Sequence, residues 1–152
     1  MEAKETIELL KAEYLHLQST IEGGDGKALT IKAWSITFSF AAFGVAFAND
    51  SKIIFIIAAC GSGIFWFLEA LWKTFQIAHY ERIYEIERYF RNEIKEIKVL
   101  QITDSWIVEF KKKGFYKLFN VMCWPHVCLP HIIVIIIGLL LFVLTNLPIF
   151  AK

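Results

Sequence analysis

IIFIIAACGSGIFWFLEALW, residues 53–72, is the stretch on which the fold turns. A spanning helix needs roughly 20 predominantly apolar residues, and this run has that length with a single charge, Glu69. Two further stretches read the same way. The apolar run 33–48 reaches spanning length when extended to 28–49, which adds one charge, Lys32, and the run 118–151 is uncharged throughout. A soluble domain with apolar core helices is the competing reading. It is disfavoured by 57% hydrophobic residues and a mean hydropathy of +0.50, both above the range of ordinary globular domains. The expected fold class is an all-α membrane protein with three transmembrane helices.

Charge sets the expected orientation. Of the 16 Lys and Arg, only Lys52 and Lys152 fall outside the segments 1–32 and 73–117. With the amino terminus inside, the positive-inside rule favours N-in/C-out in a bacterial inner membrane. The chain then divides into a cytoplasmic amphipathic helix with a glycine hinge (1–27), a transmembrane hairpin (28–72), a cytoplasmic helical extension ending in a basic interfacial helix (73–117), and a third transmembrane helix with a short external tail (118–152). Asn49, Asp50, Ser51 and Lys52 suit the hairpin turn. Ala46-Phe47-Ala48 looks like a signal-peptide cleavage site, but the preceding segment is too long and too acidic for that role. A net charge of +1 argues against nucleic acid as a partner.

Within the spans, residues sort by size. Ser35, Ser39, Ala42 and Ala46 form one stripe of the first span, and Ile36, Phe40, Phe43 and Phe47 form its neighbour. Ala58, Ala59, Ser62 and Gly63 repeat the pattern in the second. Small residues let helix backbones approach closely, whether within one chain or between copies. Glu69 is expected at the membrane interface, paired with Lys73 one turn on, and Trp66 and Trp72 are expected in the headgroup belt.

Residues 73–100 contain neither Gly nor Pro, which predicts a second helix running unbroken over about 53–100, on the order of 70 Å long, and protruding into the cytoplasm. Ile83, Ile86, Phe90, Ile94 and Ile97 mark its apolar stripe. Ile7, Leu10, Tyr14, Leu17 and Ile21 of the amino-terminal helix offer one partner, leaving the rest for another subunit or a soluble cytoplasmic protein. Thr103, Asp104 and Ser105 are candidate N-caps for a short helix over 106–117. There Lys111, Lys112, Lys113 and Lys117, interleaved with Trp106, Phe110, Phe115 and Tyr116, suit an anionic lipid surface.

Cys123-Trp-Pro-His126 and Cys128-Leu-Pro-His131 repeat at a period of five. Cys123, His126, Cys128 and His131 would make a tetrahedral zinc or soft copper site if they converged. A five-residue offset turns a side chain by about 140° around a straight helix, so convergence needs a break. The competing reading is a proline-bent entrance to the third span, with the thiols acting as small hydrophobes. Gly23-Gly24-Asp25-Gly26-Lys27 lacks the spacing, the Ser or Thr, and the strand of a phosphate loop. His16 and His79 read as structural, no nucleophile, base and orienter can be assembled from the sequence, and neither an enzyme nor a cofactor is expected.

The stretches DGKALTIKAW (25–34), EALWKTF (69–75) and YERI (80–83) resemble a group of small, mostly uncharacterised bacterial multi-span membrane proteins. Some of these are similar to membrane components of antiphage and CRISPR-accessory systems. The resemblance covers roughly residues 5–100 and implies a non-enzymatic, homo-oligomeric membrane protein that forms a pore or perturbs the bilayer. The paired Arg and His of a HEPN-type RNase do not occur. Two other functions are expected alternatives: a scaffold anchoring a soluble partner through the cytoplasmic helices, and a metal-handling protein using the Cys/His repeat.

Overall fold

The computed structural model describes the backbone of residues 3–147, with the side chains of 3 and 113–115 excepted. The external tail and the Lys113 side chain lie outside the described residues. Five helices follow in order: α1 (Ala3–Ala48), α2 (Ile53–Ile77), α3 (Tyr80–Phe90), α4 (Ile102–Met122) and α5 (Pro125–Asn146). Among the described residues, three helical runs are long and apolar enough to cross a membrane: Lys4–Ala48, Ile53–Phe90 and Pro125–Asn146. The chain divides into two units, Met1–Lys27 with Trp72–Leu118, and Ala28–Leu71 with Phe119–Lys152.

In the first unit, the amino-terminal part of α1 packs antiparallel on α3. Leu10, Leu17 and Ile21 meet Ile83 and Ile86 in one core, ringed by Tyr14, Tyr80, Tyr89, Ile97, Val99 and Ile102. Three of the five residues of the expected apolar stripe, Ile83, Ile86 and Ile97, are therefore occupied by the chain itself. Among these apolar residues sits a buried ion pair. Arg82 Nε and Nη2 donate to Glu13 Oε1 and Oε2 at 2.8 and 3.0 Å, with both side chains at most 1% exposed. Arg82 also donates to Glu85 and to the Lys98 carbonyl, and Glu13 accepts the backbone N–H groups of Leu100 and Gln101. Burial alone would lower the Arg82 pKa; the hydrogen bonds to Glu13 and Glu85 outweigh it and leave the pKa raised.

The second helix is not the unbroken rod expected over 53–100. It tightens at Ala78 and His79, where the His79 N–H bonds the Gln76 carbonyl three residues back, and α3 stops at Phe90. Asn92 causes the stop by adopting a left-handed backbone, φ 60°. Its N–H bonds Tyr89 O and the Glu93 N–H bonds Arg88 O, which caps the last carbonyls of α3 in a Schellman arrangement. The irregular stretch 91–101 is then tied back to Glu13. Conversely, the predicted glycine hinge is helical, and α1 runs through it. A Cβ on Gly24 would lie 3.0 Å from Gln76 Cδ, so glycine there admits the Gln76 amide, which donates to Ile21 O and Asp25 Oδ1. Likewise α4 begins at Ile102, which puts Thr103, Asp104 and Ser105 in its first turn instead of at its cap.

In the second unit, α1 and α2 form the expected antiparallel hairpin, closed by the turn 49–52 with Asp50 at φ 49°. Aspartate tolerates this left-handed conformation better than most residues. Phe47 and Phe43 pack on Phe55, and Phe38 on Phe65, across the two helices. Helix α5 begins later than expected. Trp124 is extended at ψ 132°, as a residue before proline prefers, and Pro125 occupies the first turn, where its missing N–H costs nothing. Val134 joins Phe43, Ala46, Phe55 and Ala58 in the core. The outward residues Trp34, Phe40, Phe47, Ile57, Ile64, Leu140 and Val143 stay exposed, an apolar surface suited to lipid contact.

Because one carboxylate serves both a guanidinium and two backbone amides, Glu13→Gln or Arg82→Met should destabilise the protein by about 3 kcal/mol or more. The double variant Glu13→Leu/Arg82→Met should recover part of this, keeping a deficit of about 1 kcal/mol for each orphaned N–H. Thermal unfolding followed by circular dichroism in detergent measures both.

Candidate functional site: a buried Lys-Glu-His-Ser network

Among the described residues, the second unit contains two charges of opposite sign outside its turn, Lys32 on α1 and Glu69 on α2. They stand equally far from the 49–52 turn, so hairpin formation brings them opposite one another. Lys32 Nζ donates to Glu69 Oε1 at 2.6 Å; Glu69 is 1% exposed and Lys32 19%. This replaces the expected pair with Lys73 and buries Glu69 between helices. In the first unit Lys73 instead binds Asp25 at 2.7 Å, and Lys27 lies 4.5 Å from the centre of the Trp72 ring. The reason is energetic: an isolated acidic residue within a span costs about 2.5–3.5 kcal/mol, whereas a lysine near the span end covers it and still reaches the rim.

The second carboxylate oxygen faces α5. His131 Nε2 lies 3.0 Å from Glu69 Oε2, and its Nδ1 lies 3.0 Å from Ser35 Oγ. Ser35 Oγ is 3.1 Å from Ser62 Oγ, which also reaches the His131 carbonyl at 3.3 Å. Ser35, Ser62 and His131 are at most 1% exposed. With a neutral ring, Nε2–H donates to the carboxylate and Nδ1 accepts from the Ser35 hydroxyl. The Lys32 and Glu69 charges then cancel, with an imidazole bridging to the hydroxyls. One turn past Ser35, the fully buried Ser39 Oγ has no hydrogen-bond partner among the described residues.

The Cys/His repeat therefore splits. His131 points into the network, while Cys123 and His126 are exposed and Cys128 is half-buried, its thiol directed at the Cys123 and Pro125 carbonyls. Among the described residues no group of three or more His, Cys, Asp or Glu side chains is placed to hold a metal. Pro125 starts α5 and Pro130 lies inside it, and the four groups do not turn toward one centre.

The expected interface residues also divide. Ser35, Ser39, Ala46 and Ala59 are buried within the chain, as are Ile83 and Ile86; Ala42 is half-buried. The small-residue stripes thus serve packing inside one chain. Gly63 has no atom within 4 Å of where a side chain would begin. Ile97 packs on the first unit's core, Ile94 is half-exposed, and Phe90 is exposed. Phe90 borders a groove of about 550 Å³ with Lys11, Tyr14, Leu15, Glu87 and Arg91. In the basic segment the aromatics and cations part company. Trp106 donates to Phe75 O and stacks on Phe110, its ring centre 4.9 Å away and 5° off parallel, while Lys111, Lys112 and Tyr116 remain exposed and Lys117 half-exposed.

His79, beside Trp106, has a buried Nδ1 with no hydrogen-bond partner among the described residues. Burial lowers its pKa from the ordinary 6.5, and the nearby His16 adds to the shift.

Two predictions follow from these environments. Glu69→Ala leaves Lys32 and His131 without their acceptor and should cost about 3 kcal/mol, against about 0.6 kcal/mol for Ser35→Ala, the usual size of a hydrogen bond between membrane helices. Unfolding titrations in detergent should show that order. For His79 the unfolded chain takes up the proton first, so its contribution is present above the unfolded pKa and is lost as pH falls through that value. The midpoint of thermal unfolding should therefore drop more between about pH 7 and about pH 5 in the wild type than in His79→Phe.

Compared with known proteins, the chain matches no family model, no curated protein and no solved structure.

Proposed function

We propose that this is a non-enzymatic, homo-oligomeric, multi-pass protein of the bacterial inner membrane, oriented N-in/C-out. Its spans form or gate a permeability pathway, and its cytoplasmic helices sense a partner, as in a membrane-perturbing component of antiphage defence. One observation carries the reading: a lysine, a glutamate and a histidine from three different helices meet inside the unit that contains the most apolar segments. Ionisable residues in such places mark ion pathways and relays far more often than they mark packing, because packing alone is cheaper with apolar side chains. All three partners being satisfied within one chain describes a closed, resting arrangement. The open face at Gly63 supports close approach of another copy.

The test is induced expression with a potential-sensitive dye. Under activating conditions the wild type should depolarise the cell, and Glu69→Gln should change the extent or onset. A steady potential in both, at equal protein levels in the membrane, would reject the proposal. The mass of the detergent-solubilised complex gives a separate check, since a monomer argues against a pore.

A second reading, a scaffold for a soluble protein, is favoured by the groove at Phe90, where Leu15 is 64% exposed. Phe90→Glu together with Ile94→Glu should then abolish partner binding and leave membrane insertion intact.

A further inference from the structure

The interior of the spanning unit is ordered along its length. On α1, Lys32, Ser35, Ser39 and Phe43 succeed one another on one helical face. On α2, Glu69, Ser62 and Phe55 run the opposite way and meet them in the same order. A charged pair is thus followed by hydroxyls with an imidazole, then by the unpartnered Ser39 hydroxyl, then by two aromatic rings. We infer that this column is a proton path closed at one end. Glu69 and His131 exchange a proton with the half-open rim at Lys32, the serine hydroxyls carry it inward, and Phe43 and Phe55 block it. The inference rests on the permeability reading and names the species that passes.

Geometry selects the proton. Successive polar atoms from Glu69 through His131 and Ser35 to Ser62 are 3.0, 3.0 and 3.1 Å apart and are buried from solvent. That spacing leaves no room for a hydrated ion, yet it is the spacing at which hydrogen bonds hand over protons. A proton moving outward enters at Ser39, where a water molecule would extend the chain. The Ser35 hydroxyl gives its hydrogen to His131 Nδ1 and takes one from Ser62, whose hydroxyl turns from the His131 carbonyl and regains a hydrogen from that water. The imidazolium releases the Nε2 proton to the Glu69 carboxylate, which passes it to water at Lys32. The ring is left protonated on Nδ1 and must turn over before the next transfer, which makes the path slow.

At the closed end, Phe43 is 5% and Phe55 2% exposed, with ring centres 5.9 Å apart. Gly138 of α5 seals them. A Cβ there would lie 3.0 Å from the Phe55 carbonyl oxygen and 3.4 Å from Phe43 Cε1, so only glycine lets α5 come this close. An apolar constriction of this kind stops protons by excluding water.

The test uses the full chain in vesicles of phosphatidylcholine and phosphatidylglycerol, with a trapped pH dye and a valinomycin-set potassium potential. Potassium leak is measured separately without valinomycin. Phe43→Ala should speed proton entry by on the order of tenfold over wild type. Adding Ser35→Ala, Ser62→Ala or Glu69→Gln should return it to the wild-type rate; the two serine variants keep the ion pair and so guard against misfolding. If Phe43→Ala passes potassium as fast as protons and ignores these second changes, the proton assignment is overturned and the broader permeability reading stands. If neither Phe43→Ala nor Phe55→Ala passes any ion while both remain folded in the vesicles, both are overturned.

Discussion

A carboxylate in an apolar helix cannot be left unpaired, and the spanning unit is arranged around meeting that requirement for Glu69. Its two oxygens are claimed from two sides, by Lys32 and by His131. The first contact fixes the register of the α1–α2 hairpin, because a one-turn slip would separate the charges. The second fixes the rotation of α5, because His131 must face Glu69 and Ser35 together. Small side chains follow from the same demand: Ser35, Ser62 and Ala59 keep the three backbones near enough for the imidazole to bridge.

The first unit solves a similar problem by different means. Glu13 and Arg82 are buried as deeply as Glu69, but the pair is bidentate and extends to backbone groups of residues 98–101. A buried pair of this kind adds little net stability over apolar residues of similar volume. Its effect is to specify where an irregular segment lies, since α3 ends at Phe90 and no helix holds the chain until Ile102. The two networks differ in one respect that bears on function. Glu13 and Arg82 are strapped to backbone, whereas the Glu69 network ends in hydroxyls and a tautomeric ring, groups that can change donor and acceptor roles without moving the helices.

Much of this was legible in the residues, and the failures have physical causes. The spans, the turn at 49–52 and the apolar contact of Leu10, Leu17 and Ile21 with Ile83 and Ile86 follow from length and periodicity, which are local properties. The unbroken second helix was wrong because Asn92 supplies a left-handed stop without glycine or proline. The glycine hinge was wrong because packing against Gln76 outweighs a poor helix propensity. Of the candidate site, Glu69, Ser35 and His131 were each noticed, but for separate reasons. An available signal was the equal distance of Lys32 and Glu69 from the turn, which makes an antiparallel hairpin pair them.

By itself the sequence determined the helical class, the number of apolar runs long enough to span a membrane and the bias of charge along the chain, because these depend on composition and short-range spacing. Only the tertiary structure decided that Glu69 is buried, that it is shared by Lys32 and His131, and that the Cys/His repeat does not converge. Those outcomes depend on which faces three helices turn toward one another. That choice is made by the cost of burying a charge and by the fit of side chains, and neither is written at any single position.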